Sequence, residues 1–129
     1  SYSNFGAFKG LGSPVRVKEA VKMLHEKHPD LMVDGEMQAN YALNGELRYK
    51  RYPFNKLKDH DANTLVFPNL SSGNITYKVM QALGTAEAIG PVLMGMKKPV
   101  HILQRDSSVR EIINMVAIAV VDAQSVSDD

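Results

Sequence analysis

The stretch "VREIINMVAIAVVDA", residues 109–123, constrains this chain more than any other. Ile112, Ile113, Met115, Val116, Ala117, Ile118, Val120 and Val121 place apolar side chains nearly all round a helix and leave little polar face. A helix of that kind needs cover on most sides, so it is expected to be sandwiched between layers or between subunits. Its apolar run, Met115 to Val121, is only seven residues long, well short of the roughly 18 that suggest a membrane span.

The other segments suggest what the layers would be. Ser13-Pro14 reads as a helix start with a capping hydroxyl, and Val17, Ala20, Val21 and Leu24 recur on one helical face until Pro29. "LMVDG" from Leu31 reads as a short strand, and "EMQANYAL" restarts a helix from Glu36. Residues 45–63 hold Pro53, five Lys or Arg and three acids without a clean period, and read as a long surface loop. "TLVFPN" reads as a strand, followed by a helix carrying Ile75, Val79, Met80 and Leu83 and closed by Gly84. "AIGPVLMGM" and "PVHIL" are two further strand-like runs. This alternation predicts an α/β layered fold with a largely parallel sheet.

With 129 residues, 44% hydrophobic and 22% charged, the composition is that of one globular domain. The net charge of +1 supplies no field for nucleic acid or an anionic membrane, so neither is an expected partner. The absence of cysteine removes disulfides, thiolate nucleophiles and Cys-ligated zinc, and together with the lack of a secretory signal it favours a cytoplasmic protein. Because the chain enters at Ser1 directly into "SYSNFGAFKG", it reads as a piece of something longer.

Three junctions could carry chemistry: "DGEMQAN" at 34–40, "FPNLSSGN" at 67–74 and "LQRDSSVRE" at 103–111. In a parallel sheet such turns would share one edge, where helix N-termini offer free amides to anions. Ser71, Ser72, Gly73 and Asn74 could hold a phosphate, or a serine there could simply cap the helix. No Walker lysine and no G-x-G-x-x-G accompanies them. Asp34 and Glu36 could meet a metal or substrate, or favour the positive end of the next helix. His25, His28, His60 and His101 make no compact ligand set, and no metal site is expected within the chain. Ser108 and Glu111 fit a capping box. Arg105 is left over, since a guanidinium at a helix N-terminus is unfavourable unless an anion intervenes; an exposed ion pair, for example with Asp106, is the alternative.

Taken together, "DGEMQAN", "TLVFPNLSSGNITYKVMQ", "TAEAIGPVLMGMKKPV" and "SSVREIINMVAIAVVDAQ" resemble the carboxyl-terminal half of phosphate acetyltransferases. More closely, they resemble the phosphotransacetylase-like domain fused behind the catalytic part of large bacterial NADP-dependent malic enzymes. The resemblance implies a fold like that of isocitrate and isopropylmalate dehydrogenases, in two α/β subdomains around an acetyl-CoA and phosphate cleft. About 1–90 would come from one subdomain, about 91–124 would complete the other, and 125–129 would be a flexible tail. In active phosphotransacetylases the turn matching 103–111 carries Ser-Arg-Gly-Cys-Ser with an Asp three residues later; here the positions of its first Ser, its Arg and that Asp read Gln104, Arg105 and Glu111. The resemblance thus implies degenerate catalytic positions at Gln104 and Glu111, with ligand binding by Arg105, Ser107 and the 71–74 turn. It further implies a regulatory and assembly role: binding acetyl-CoA or a related phosphate-bearing CoA ester and forming at least a homodimer. NADP and Mg or Mn would serve malate oxidation in an amino-terminal region absent here. The alternative it leaves open is an active phosphate acetyltransferase.

Overall fold

The computed structural model describes residues 1–84 and 87–125. Among these there are five helices and no β-strand: α1 (Ser13–Lys27), α2 (Ala39–Ala42), α3 (Gly45–Arg51), α4 (Leu70–Leu83) and α5 (Val109–Ser125). The expected α/β architecture with a parallel sheet is therefore wrong for this chain. The runs beginning at Leu31, Thr64, Ala88 and Pro99 are irregular, and none exchanges backbone hydrogen bonds with another. Apolar, β-branched composition reports a preference for a half-buried pleated surface, but a strand exists only where a second segment lies alongside to complete the ladder. Among the described residues no ladder forms along these runs, and Val66, Met94 and Ile102 are exposed.

The chain divides into two compact units, Ser1–Thr76 and Tyr77–Asp129, with the division falling inside α4. In the first unit α1 takes Gly12 and not a serine as its N-cap residue: no side chain caps it, and Pro14 sits buried in the first turn, where its missing N–H is harmless. Val21 is buried and Val17 and Leu24 are half-buried, as the helical spacing requires, whereas Ala20 of the same expected face is exposed. His25 Nε2 lies 2.8 Å from the Val33 carbonyl and ties the following segment back to the helix.

The expected loop at 45–63 contains α3. Its start is local chemistry: the Asn44 side chain accepts from the Leu47 N–H at 2.9 Å, Glu46 lies in the first turn, and Arg48, Lys50 and Arg51 lie in the last. Glycine is required at position 45, because a Cβ there would run into the Asp59 carbonyl. Arg48 is 0% exposed. Its guanidinium donates from Nε to Asn55 Oδ1 (3.1 Å), from Nη1 to the Tyr41 and Ala42 carbonyls (2.8 and 3.2 Å), and from Nη2 to the carbonyls of Lys58 (3.2 Å) and His60. One cation thus gathers the C-terminal carbonyls of α2 and the 55–60 segment, where a full set of donors offsets the cost of burying charge.

Glu36 does not start a helix. It is 1% exposed, and its Oε1 accepts from Gly6 N–H at 2.6 Å and Ser3 Oγ at 3.1 Å, pinning the amino-terminal segment. Nearby, Asn4 and Gln38 exchange two hydrogen bonds (2.7 and 3.1 Å).

In the second unit α5 is not sandwiched between layers of this chain. Met115 is its one buried residue, at 5% exposure, whereas Val116 is 57% and Val121 65% exposed. The pattern correctly marked a helix without a polar face; it could not supply the neighbour. Of the expected tail at 125–129, Ser125 ends α5 and 126–129 lie outside the described residues.

Candidate functional site

The second unit holds a polar groove of about 240 Å³ between the later half of α4 and the turn that opens α5. Tyr77, Lys78 and Gln81 face it from α4; Gln104, Ser107 and Glu111 face it from the turn and the first turn of α5. Tyr77 donates its hydroxyl to the Gly90 carbonyl at 3.2 Å, tying α4 to the 88–91 segment.

The turn is built by its own side chains. Ser107 N–H donates to the Gln104 carbonyl (3.2 Å), while the Ser107 hydroxyl oxygen accepts from the Gln104 N–H (3.1 Å). The capping box forms as its spacing predicts. Glu111 N–H donates to Ser108 Oγ at 3.2 Å, and the Glu111 carboxylate accepts from the Ser108 N–H at 2.6 Å and from its hydroxyl at 2.9 Å. These donors, the backbone N–H foremost, hold the Glu111 carboxyl below the usual carboxylate range, and the Lys78 charge adds a smaller push in the same direction. One Glu111 oxygen is thus already engaged as a helix cap.

Arg105 is exposed and forms no ion pair or hydrogen bond among the described residues, so the alternative of a bridge to Asp106 is not realised. The ion pair that does form on α5 is Arg110 with Glu87, at 2.7 Å.

The remaining candidate positions lie elsewhere. Ser71, Ser72, Gly73 and Asn74 belong to the first unit and open α4, whose start is capped by neither serine. Asn69 does this, its Oδ1 accepting from the Ser72 N–H at 2.9 Å, while the Ser72 hydroxyl donates to the Asn69 carbonyl at 3.0 Å. Asp34 accepts from Gly35 N–H (2.9 Å) and Lys56 N–H (2.6 Å), a structural use of its charge. The 34–40 junction therefore bonds to residues 1–6 and Lys56, and not to the 67–74 junction; no shared sheet edge gathers them. Among the described residues no three His, Asp or Glu side chains are grouped to hold a metal.

Sequence reasoning missed Lys78. Its ammonium sits 3.4 Å from both Gln81 Oε1 and Gln104 Oε1, and 5.6 Å from the centre of the Tyr77 ring. A signal was present: Asn74, Lys78 and Gln81 recur at i, i+4 and i+7, a polar stripe on a helix otherwise marked by Ile75, Val79 and Leu83.

Comparison with known proteins agrees with the resemblance of the motifs. The family model described as Phosphate acetyl/butaryl transferase matches residues 1–120. The chain is 46% identical over 124 residues to the NADP-dependent malic enzyme of Haemophilus influenzae, covering 96% of this chain and 16% of that protein. It is 42% identical over 124 residues to the phosphate acetyltransferase of Clostridium acetobutylicum, covering 96% of this chain and 37% of that one. Among solved structures, a phosphotransacetylase from Streptococcus pyogenes superposes with a TM-score of 0.82 at 37% identity, over all of this chain and 38% of that one. The chain thus spans about a sixth of the malic enzyme and under two fifths of the acetyltransferase. A family match along nearly its whole length, with relatives 46% and 42% identical over 96% of it, makes this chain a member of the phosphate acetyl/butyryl transferase family, of the kind found in the carboxyl-terminal region of NADP-dependent malic enzymes and in phosphate acetyltransferases.

Proposed function

We propose that this chain is part of a regulatory and assembly domain: it binds acetyl-CoA or a related CoA ester at the turn opening α5, without efficient acetyl transfer. The observation that carries the reading is the state of the turn. Arg105 stands unpaired and exposed beside the N-terminus of a 17-residue helix, a combination that favours an anionic ligand. At the position where the resemblance implies a serine there is Gln104, which has no hydroxyl to orient or protonate a thiolate leaving group. Glu111, at the position of the implied aspartate, is engaged with Ser108.

The parent reaction would be oxidative decarboxylation of malate to pyruvate, with NADP and Mg or Mn held by another part of the protein. Self-association belongs to the same proposal. Ile113, Val116, Val120 and Val121 are exposed on α5, and a cavity of about 450 Å³ opens between 92–96 and Ala117, Ile118 and Val121; apolar surface of this kind calls for a partner.

Calorimetric titration of the full-length protein with acetyl-CoA tests the binding claim. Arg105→Ala should weaken binding about ten- to hundredfold, as loss of one charge-assisted hydrogen bond of roughly 1.5–3 kcal/mol implies. Acetyl phosphate formation from acetyl-CoA and phosphate should stay at background. The second reading, an active phosphate acetyltransferase, is favoured by the 42% identity to the clostridial enzyme, and robust acetyl transfer would establish it in place of the first.

A further inference from the structure

We infer that Lys78 is a positioning residue which turns Gln104 into a hydrogen-bond donor for the thioester carbonyl of the bound CoA ester; this rests on the reading above. The Lys78 ammonium faces Gln81 Oε1 and Gln104 Oε1, each at 3.4 Å. An ammonium carries donors only, so it selects the carboxamide oxygen of Gln104 and turns the NH₂ away from itself. The backbone of Gln104 is fixed independently by its two contacts with Ser107. A donor held at both ends in this way is pre-organised for an acceptor in the groove.

The charge of the groove indicates which acceptor. Its lining carries one ammonium, Lys78, against two carboxylates, Asp106 and Glu111. That excess of negative charge repels a phosphate but not a neutral carbonyl. At about 240 Å³ the groove also lies below the roughly 300–1,000 Å³ of pockets that enclose whole drug-sized ligands, which suits the acyl end of a ligand rather than its nucleotide. The two ends of the ester then separate: phosphate at the exposed Arg105, acyl group between Gln104 and Lys78.

The test compares acetyl-CoA with CoA, which lacks the carbonyl, by calorimetry on the full-length protein. Lys78→Met should lower affinity for acetyl-CoA about tenfold and leave CoA unchanged, while Lys78→Arg, which keeps the charge and the donors, should restore most of the loss. Arg105→Ala in the same series should weaken both ligands equally. If Lys78→Met weakens both alike, or neither, the positioning role is overturned while the Arg105 result still decides the binding site. If the unsubstituted protein binds neither ligand, the proposed function falls and this inference with it. Lys78 is exposed on a helix, so an unchanged circular dichroism spectrum is expected for both variants, and a changed one would show instead that the residue supports the fold and overturn the assignment.

Discussion

Arg48 shows how much a single side chain can organise without an apolar core around it. Its guanidinium donors meet Asn55 and four carbonyls drawn from α2 and from the 58–60 segment. Arg48→Met would fill similar volume but leave those acceptors buried and unpaired, so a loss of about 3–5 kcal/mol is expected, read as a shift in the urea midpoint. Arg48→Lys should recover little, because an ammonium presents its donors from one point and cannot span the cage. Nothing in "GELRYKRYPFNK" announces this role. The acceptors come from three separate places in the chain, and a buried arginine looks like any other basic residue until those places meet. Ser108 and Glu111 are the opposite case: three residues apart, their side chains cap the helix through each other, and their pairing was legible from spacing alone.

Helices show the same division between local and distant causes. Start signals that depend on neighbours, such as Asn44 before α3 and Ser108 before α5, are visible once sought, although the lack of an apolar period hid α3 behind its charges. The expected strands failed because their ladders need partners far along the chain. The α5 cap also fixes a pH response. The Glu111 carboxyl lies below its ordinary value of 4.5, so the cap's stabilisation is present in full above that value and is lost as pH falls through the folded-state value. Amide exchange across 109–112, taken relative to the intrinsic rate at each pH, should therefore accelerate in acid. Ser108→Ala should make it several-fold faster already at neutral pH and flatten the acid dependence.

At the scale of the whole molecule, the aliphatic surface of α5 is the dominant fact. Val116 is 57% exposed, so Val116→Asp should leave the stability of the isolated chain within about 0.5 kcal/mol of the parent, as surface changes usually do. In the full-length protein the same substitution should abolish self-association, measured by sedimentation; an unaltered oligomer would take α5 out of the interface. The α5 pattern thus told what the helix needs without telling what provides it, and the site was legible to the same degree: Arg105 and the capping box from the turn itself, Lys78 only once α4 stood opposite.

Glu36, Arg48, Asn55 and Ser3 are buried in the first unit beside Pro14, Val21 and Ala42. In calorimetric terms this inverts the usual balance. Exposing apolar surface raises the heat capacity on unfolding and exposing polar surface lowers it, so an interior of this composition yields an increment below the roughly 12–15 cal/mol/K per residue of ordinary domains. Its stability curve is therefore expected to be flatter than that of a domain of the same size with an aliphatic interior, as scanning calorimetry over cold and warm conditions would read.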